Sequence, residues 1–200
     1  MSSDPPLILA STSRYRHELL SRLRLPFEFC SPEVDESPLV DEAPRALALR
    51  LALAKARAVA RLKPHAVVVG SDQVADLQGQ ALGKPGSHER AVQQLRRMRG
   101  RQVLFHTAVA VVRSDTGFER GLLASVKVTF RDLGDAEIEH YLRTEQPYDC
   151  AGSAKCETLG IALLSAIESD DPTALIGLPL IRTCELLRQA GIDPLRSLAS

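Results

Sequence analysis

The stretch Ala66-Val67-Val68-Val69-Gly70-Ser71-Asp72 decides the fold class. Four apolar residues run without alternation and end in Gly-Ser-Asp. A strand buried on one face only would alternate polar and apolar residues. A continuous run of this length reads as a strand covered on both faces, which is the habit of α/β proteins. Ligands of open α/β sheets gather at the carboxyl ends of such strands. Asp72, placed at that end, is therefore either the cap of a turn with Gln73 or a functional carboxylate.

The segments on either side fit the same plan. Leu7–Ala10 is a second apolar run, and it leads through Ser11-Thr12-Ser13 into a helix over 14–23 with Leu19, Leu20 and Leu23 at helical spacing. The hydroxyls suit an N-cap. The first turn does not suit a helix start: Arg14, Arg16 and His17 precede the first acid, Glu18. A helix N-terminus carries partial positive charge and favours acids. Two arginines there point to an anion that arrives as a ligand.

Residues 45–62 form a long Ala/Leu/Arg helix. At about 100° per residue, Arg50, Arg57 and Arg61 fall within roughly 20° of one another and make the solvated face. Lys55 lies on the other side, among Leu47, Leu51, Ala58 and Leu62. A lysine there snorkels, pairs with an acid, or meets a ligand. The preceding segment, Ser31 to Pro44, is acidic and broken by prolines, hence a loop. If extended, it projects Glu33 and Asp35 to one side, a donor set that suits a hard divalent cation.

Further along, Gly83–Gly86 reads as a loop. Ser87 caps a helix ending at Gly100. Strands over 102–112 and 118–130 flank the turn Arg113-Ser114-Asp115-Thr116-Gly117. Asp135 caps a helix to about Glu145, a short strand covers 160–167, and a final helix spans 179–190. Helices alternate with strands and hairpins are mixed in, so the expectation is α/β with a mixed sheet. With no linker or internal repeat, 1–200 reads as one domain.

Composition narrows the function classes. Lys+Arg and Asp+Glu both number 25, giving zero net charge. A dedicated nucleic-acid binder shows a basic excess, so none is expected as partner, and any anion site is a local pocket. No stretch approaches the roughly 18 apolar residues of a membrane span, and the N-terminus lacks a signal-peptide pattern. Cys30, Cys150, Cys156 and Cys184 form no C-x-x-C pair, so they read as buried thiols of a cytoplasmic protein. Neither G-x-x-x-x-G-K-[ST] nor G-x-G-x-x-G after a strand is present. An anion-seeking helix start, a misplaced lysine and carboxylates suited to a cation nevertheless point to phosphate-ester chemistry.

These residues also occur as an ordered set: LILASTSRYRHELL (7–20), PEVDES (32–37), LALAKA (51–56), VVVGSDQV (67–74), GKP (83–85), CAGSAKCE (150–157) and IGLPL (176–180). In this the chain resembles the Maf family of nucleotide pyrophosphatases over nearly its whole length, and most closely the YceF-type subgroup that acts on 7-methyl-GTP. The resemblance implies a fold related to the inosine-triphosphate pyrophosphatases, with two lobes around a deep cleft. It implies hydrolysis of 7-methyl-GTP to 7-methyl-GMP and pyrophosphate with a divalent cation, Mg²⁺ or Mn²⁺, by a cytoplasmic enzyme that is often a homodimer. Residue by residue, it makes Asp72 the proton acceptor and Tyr15, Gln73 and Glu157 the positions that select the nucleotide. Ser11, Ser13, Arg16, Lys55, Lys84 and Lys155 become phosphate-binding positions and Glu33 a cation ligand; Asp72 is either the base or a second cation ligand, or both. Arg14 replaces a frequent Pro, and Ala154, Cys156 and Thr158 depart from the subgroup's usual Phe, Ser and Gly. The competing readings are a TTP/UTP pyrophosphatase of the same family, a non-catalytic nucleotide-binding regulator of cell division, and a helical interaction module using Arg50, Arg57 and Arg61.

Overall fold

The computed structural model describes residues 5–196. Its centre is a seven-stranded mixed sheet. In chain order the strands are β1 (Leu7–Ala10), β2 (Glu28–Cys30), β3 (Val67–Leu77), β4 (Gln80–Leu82), β5 (Gln102–Arg113), β6 (Phe118–Phe130) and β7 (Leu164–Glu168). The helices are α1 (Arg14–Ser21), α2 (Pro44–Leu62), α3 (His88–Met98), α4 (Asp135–Glu145) and α5 (Leu180–Gln189). The sheet order is β2-β1-β3-β5-β6-β7, with β4 paired to β3. β1 runs parallel to β2 and β3, and the remaining pairs are antiparallel. The α/β mixed sheet expected from the sequence is the fold observed.

β3 is buried on both faces, as its apolar start requires. Val68 and Val74 pack on one side against the alanine stripe of α2, with Ala48, Ala52, Ala56 and Ala60 all fully buried. Val67 and Val69 pack on the other side against Leu19 and Leu20 of α1 and Leu186 and Leu187 of α5. Beyond Val74 a third core takes over: Ala75, Leu77, Phe105 and Val126 pack with Leu95 and Met98 of α3 and Ile138 and Leu142 of α4. The molecule therefore has two lobes threaded by the same long strands.

Two features of β3 place the site. β1 stops at Ala10, opposite Gly70, while β3 continues through Asp72 to Leu77, paired with β5 as far as Asp76. Asp72 is thus not at a strand end as its sequence suggested; it sits mid-strand, just past the point where the parallel neighbour stops. Gly70 also brings α2 very close. A Cβ there would lie 2.3 Å from the Ala52 carbonyl oxygen and 2.6 Å from the Ala56 nitrogen. Small residues on helix and strand let the two backbones touch, and Lys55 beside Ala56 comes to lie over Asp72.

Two boundaries differ from the sequence reading. Residues 160–167 are not one strand: Leu159–Leu163 is a 3₁₀ turn and β7 begins at Leu164. Gly160 packs onto the Lys155 backbone, where a Cβ would sit 2.4 Å from its carbonyl oxygen, and this contact curls the chain. Asp135 is inside α4 rather than capping it. The cap is Gly134, whose N–H donates to Glu137 at 2.7 Å, and Asp135 instead pairs with Arg96 of α3 and with Arg99, which caps the end of that helix. No described helix is long and apolar enough to cross a membrane.

Candidate active site

A cleft of about 640 Å³ opens between the lobes, lined by the start of α1, the 31–38 loop, α2, the middle of β3, the β4–α3 loop, residues 149–157 and the turn at 175–177. Its floor is an ion cluster. Lys55, only 4 % exposed, donates to Asp72 Oδ1 at 2.7 Å and lies 2.7 Å from Glu36 Oε1. Of the three options the sequence left open for Lys55, pairing with acids is the one observed. Asp72 Oδ2 has no hydrogen-bond partner among the described residues and is not sealed from solvent, so it is free to act on whatever enters.

Of the acids Glu33, Asp35 and Glu36, the sequence reading puts the cation on Glu33, but the one that lines the cleft is Glu36. Glu33, taken as a cation ligand, is exposed and does not line the cleft, whereas Glu36 does. The alternation argument assumed an extended loop. Asp35 instead accepts the Ser37 N–H at 2.9 Å, a side-chain turn that redirects the chain and swings Glu36 inward. Burial raises the pKa of Glu36, but the Lys55 hydrogen bond and charge, helped by Lys84 and Arg16, more than offset this and leave it below the ordinary glutamate value.

The wall of the cleft opposite β4 is the helix start that looked anomalous. Ser13 caps α1, its Oγ accepting from the Arg16 N–H at 3.5 Å, and Ser11 Oγ accepts from the Ser13 N–H at 3.1 Å. Both hydroxyls spend an acceptor on the backbone and keep a hydrogen for an anion. No acid occupies the first turn. Arg16 donates Nε to the Gly177 carbonyl at 3.0 Å. Burial lowers its pKa, against the pull of Asp72 and Glu36. Lys84 lines the cleft from the β4–α3 loop. The two arginines divide their work: Arg14 lies over the Tyr15 ring at 4.7 Å and donates to the Tyr15 hydroxyl at 2.8 Å.

The three residues read as nucleotide-selecting are in the cleft lining, in different circumstances. Tyr15 carries Arg14 on its ring. Gln73 projects from the face of β3 opposite Asp72. Its Nε2 lies 3.0 Å from the Ala174 carbonyl and 2.9 Å from that of Leu175, and 3.0 Å from Thr107 Oγ1. Its donors are committed to holding the 174–176 turn. Glu157 is exposed, and between the cleft and a smaller adjoining cavity of about 330 Å³ it lines both. The thiol of Cys156 donates to Glu157 Oε2 at 3.7 Å. Burial first, and then that carboxylate, push the thiol up to about 12.

Lys155 is not brought to the phosphate wall. Its ammonium pairs with Glu145 at 3.2 Å and lies 5.9 Å from the Tyr15 ring centre, outside the cleft lining. An acid on α4 claims its charge.

The buried Lys55–Asp72 pair, with the more exposed Glu36 beside it, predicts the behaviour of Lys55→Met. Removing one partner of a buried pair leaves an uncompensated charge, at a cost of about 3 kcal/mol or more. The protein should melt at lower temperature, and the Glu36 pKa should rise because its chief attraction is gone. Glu36, depressed in the native state, contributes stability that is present above its unfolded pKa and lost as pH falls through the folded value. In the variant that contribution should shrink, so the stability gap between the two proteins should narrow as pH falls through the carboxylate range. A stability gap that stays constant across that pH range would show that Lys55 does not hold Glu36.

The comparisons with known proteins concern nearly the whole chain. The family model described as Maf-like protein matches residues 6–190. A Polaromonas protein named 7-methyl-GTP pyrophosphatase is 71% identical over 94% of this chain and 85% of its own length. A Bordetella avium protein of the same name is 57% identical over 98% of this chain and 99% of its own. Among solved structures, the Ham1 protein of Staphylococcus aureus aligns with a TM-score of 0.47 and 16% identity, over 64% of this chain and 72% of that one.

Proposed function

Because the chain belongs to the Maf family, we propose that it is a nucleoside triphosphate pyrophosphatase that hydrolyses 7-methyl-GTP to 7-methyl-GMP and pyrophosphate. The observation that carries the reading is the buried Lys55 held between Asp72 and Glu36 beneath the cation-bearing start of α1. Its relatives' name supplies the nucleotide.

In this reading the triphosphate lies along the Ser11–Arg16 wall. Arg16 and Lys84 balance its charge, and the hydroxyls and free backbone N–H groups of the helix start hydrogen-bond its oxygens. Water attacks the α-phosphorus, the α–β anhydride bond breaks, and pyrophosphate leaves. Asp72, fixed through Oδ1 by Lys55, takes the proton of the attacking water on Oδ2. The donor set also suits a divalent cation. No group of three His, Cys, Asp or Glu converges among the described residues, but Mg²⁺ needs only one or two protein carboxylates alongside phosphate oxygens and water. Glu36 and Asp72, and not Glu33, would hold it. Once bound, the cation would polarise the phosphate and offset developing charge. The reading extends to a free nucleotide as substrate, without nucleic acid, and to a cytoplasmic homodimer, the latter open to light scattering.

The base is selected by charge. N7-methylation makes guanine cationic, and an aromatic face attracts a cation by about 0.5–2 kcal/mol. Tyr15 already holds the Arg14 guanidinium, and Arg14, being exposed, can yield that face. Glu157 accepts hydrogen bonds from N1–H and the 2-amino group of guanine. Thymine and uracil would turn carbonyl oxygens toward the same carboxylate. Pyrophosphate release should therefore show a higher kcat/KM for 7-methyl-GTP than for GTP, TTP or UTP, with Mg²⁺ or Mn²⁺ supplied. Glu157→Gln should erode that preference by roughly 1.5–3 kcal/mol, the worth of a charged hydrogen bond. TTP or UTP as best substrate, or an unchanged ranking in the variant, would sink this account of the base pocket.

A further inference from the structure

Among the described residues the one hydrogen bond to the Glu157 carboxylate comes from the thiol of the neighbouring Cys156, so little of its own holds the side chain in place. Its flanks are held by α4. Tyr141, 2 % exposed, donates its hydroxyl to the Ser153 carbonyl at 3.1 Å and accepts the Lys155 N–H at 3.0 Å. Glu145, one turn later on the same face of the helix, accepts from Lys155 Nζ at 3.2 Å, from Thr158 Oγ1 at 2.8 Å and from the Leu159 N–H at 3.1 Å. These bonds grip the loop on both sides of Glu157, at 153–155 before it and at 158–159 after it. Gly160, packed on the Lys155 backbone, closes the loop behind.

We propose that Tyr141 and Glu145 are positioning residues for nucleotide discrimination: they set the shape of the 153–159 loop and thereby the place of Glu157 at the cleft. The proposal rests on the reading of Glu157 as the group that selects the base. It gives the Lys155 ammonium a definite task, as a strut from the loop to α4 rather than a ligand of phosphate. The hydrogen-bonding states suit the role. Burial pushes the Tyr141 phenol well above its usual pKa, so it remains a donor. Burial raises the Glu145 pKa, but its bonds to Thr158, Leu159 and Lys155 outweigh this and keep it below the ordinary value.

The test uses Tyr141→Phe, Glu145→Gln and Thr158→Val, the last an isosteric change at an exposed position that removes one Glu145 bond without touching α4. For each protein the ratio of kcat/KM between the two best nucleotides is measured, with amide hydrogen exchange over 153–159. The expected result is a fall in that ratio of about tenfold for Glu145→Gln, the equivalent of a lost charge-assisted hydrogen bond. Smaller falls are expected for the other two, with faster exchange in the loop. kcat for the less preferred nucleotide should stay within about twofold of wild type, since the hydrolytic groups are untouched. An unchanged ratio in Glu145→Gln and Thr158→Val overturns the proposal, as does a loss that falls equally on every nucleotide. If the wild type prefers a nucleotide other than 7-methyl-GTP, the proposed substrate fails. The same ratio, taken for its own two best nucleotides, still decides the role of α4.

Discussion

Asp72→Asn is expected to lower kcat by roughly a thousandfold, inside the 10²–10⁴ range that a positioned proton acceptor supplies, while the protein stays folded and still binds nucleotide. Asparagine has the shape of aspartate, and its carbonyl oxygen can accept the Lys55 bond now made to Oδ1 at 2.7 Å. What it lacks is the second, open carboxylate oxygen and the negative charge. A base and a cation ligand would both lose their function, so the fall alone does not separate the two roles. Single-turnover rates at saturating and limiting Mg²⁺ do. If Asp72 acts as a base, the deficit persists at high metal; if it acts chiefly as a ligand, added metal recovers part of the rate. Turnover within a fewfold of wild type would remove Asp72 from the chemistry altogether.

How much of this was legible in the sequence depends on whether a side chain is placed by its own element or by something distant. Lys55 was legible, because helical geometry alone puts it among apolar neighbours and so marks it as unusual. The apolar run before Asp72 was legible as a doubly covered strand. The length of that strand was not. Polar Ser71, Asp72 and Gln73 look like an ending, yet β5 continues the ladder past them to Asp76. A long-range antiparallel partner overrides the local signal, and the polar residues face the cleft and the 174–176 turn instead of solvent.

The misses have the same cause. Choosing Glu36 over Glu33 required knowing that Asp35 turns the chain onto Ser37. Assigning Lys155 to phosphate required ignoring Glu145, ten residues earlier on another element. Tyr141 and Glu145 gave no signal at all, since a tyrosine and a glutamate on an amphipathic helix are ordinary and their partners are mostly loop atoms. Most of the motif residues line one cleft, but motifs carry positions and not the turn that brings one carboxylate to that cleft and leaves its neighbour outside.

Gly70 ties the fold to the site, and its replacement should be the most destabilising single change near the cleft. An alanine Cβ would sit 2.3 Å from the Ala52 carbonyl oxygen and 2.6 Å from the Ala56 nitrogen. Both are backbone atoms of a helix whose Ala48, Ala52, Ala56 and Ala60 lie flush on the sheet, so no side chain can rotate aside. Either α2 lifts or β3 bends. Overpacking of a tight core costs about 1–3 kcal/mol and sometimes more, and with rigid neighbours Gly70→Ala should reach about 3 kcal/mol. For a chain of this size that corresponds to a drop in Tm of roughly 10 °C. The folded fraction should also lose activity, because lifting α2 draws Lys55, next to Ala56, away from Asp72 and Glu36. Gly83 provides the contrast. Nothing lies within 4 Å of a Cβ built there, so Gly83→Ala should leave the melting temperature within about 1 °C of wild type, under the roughly 2–4 °C shift of a 1 kcal/mol core defect in a chain of this size. Thermal melts of the two variants, with turnover measured well below either midpoint, decide the matter. A Gly70→Ala protein that melts like wild type would mean that α2 and β3 do not meet as closely as this, and the close approach that seats Lys55 over Asp72 would lose its explanation.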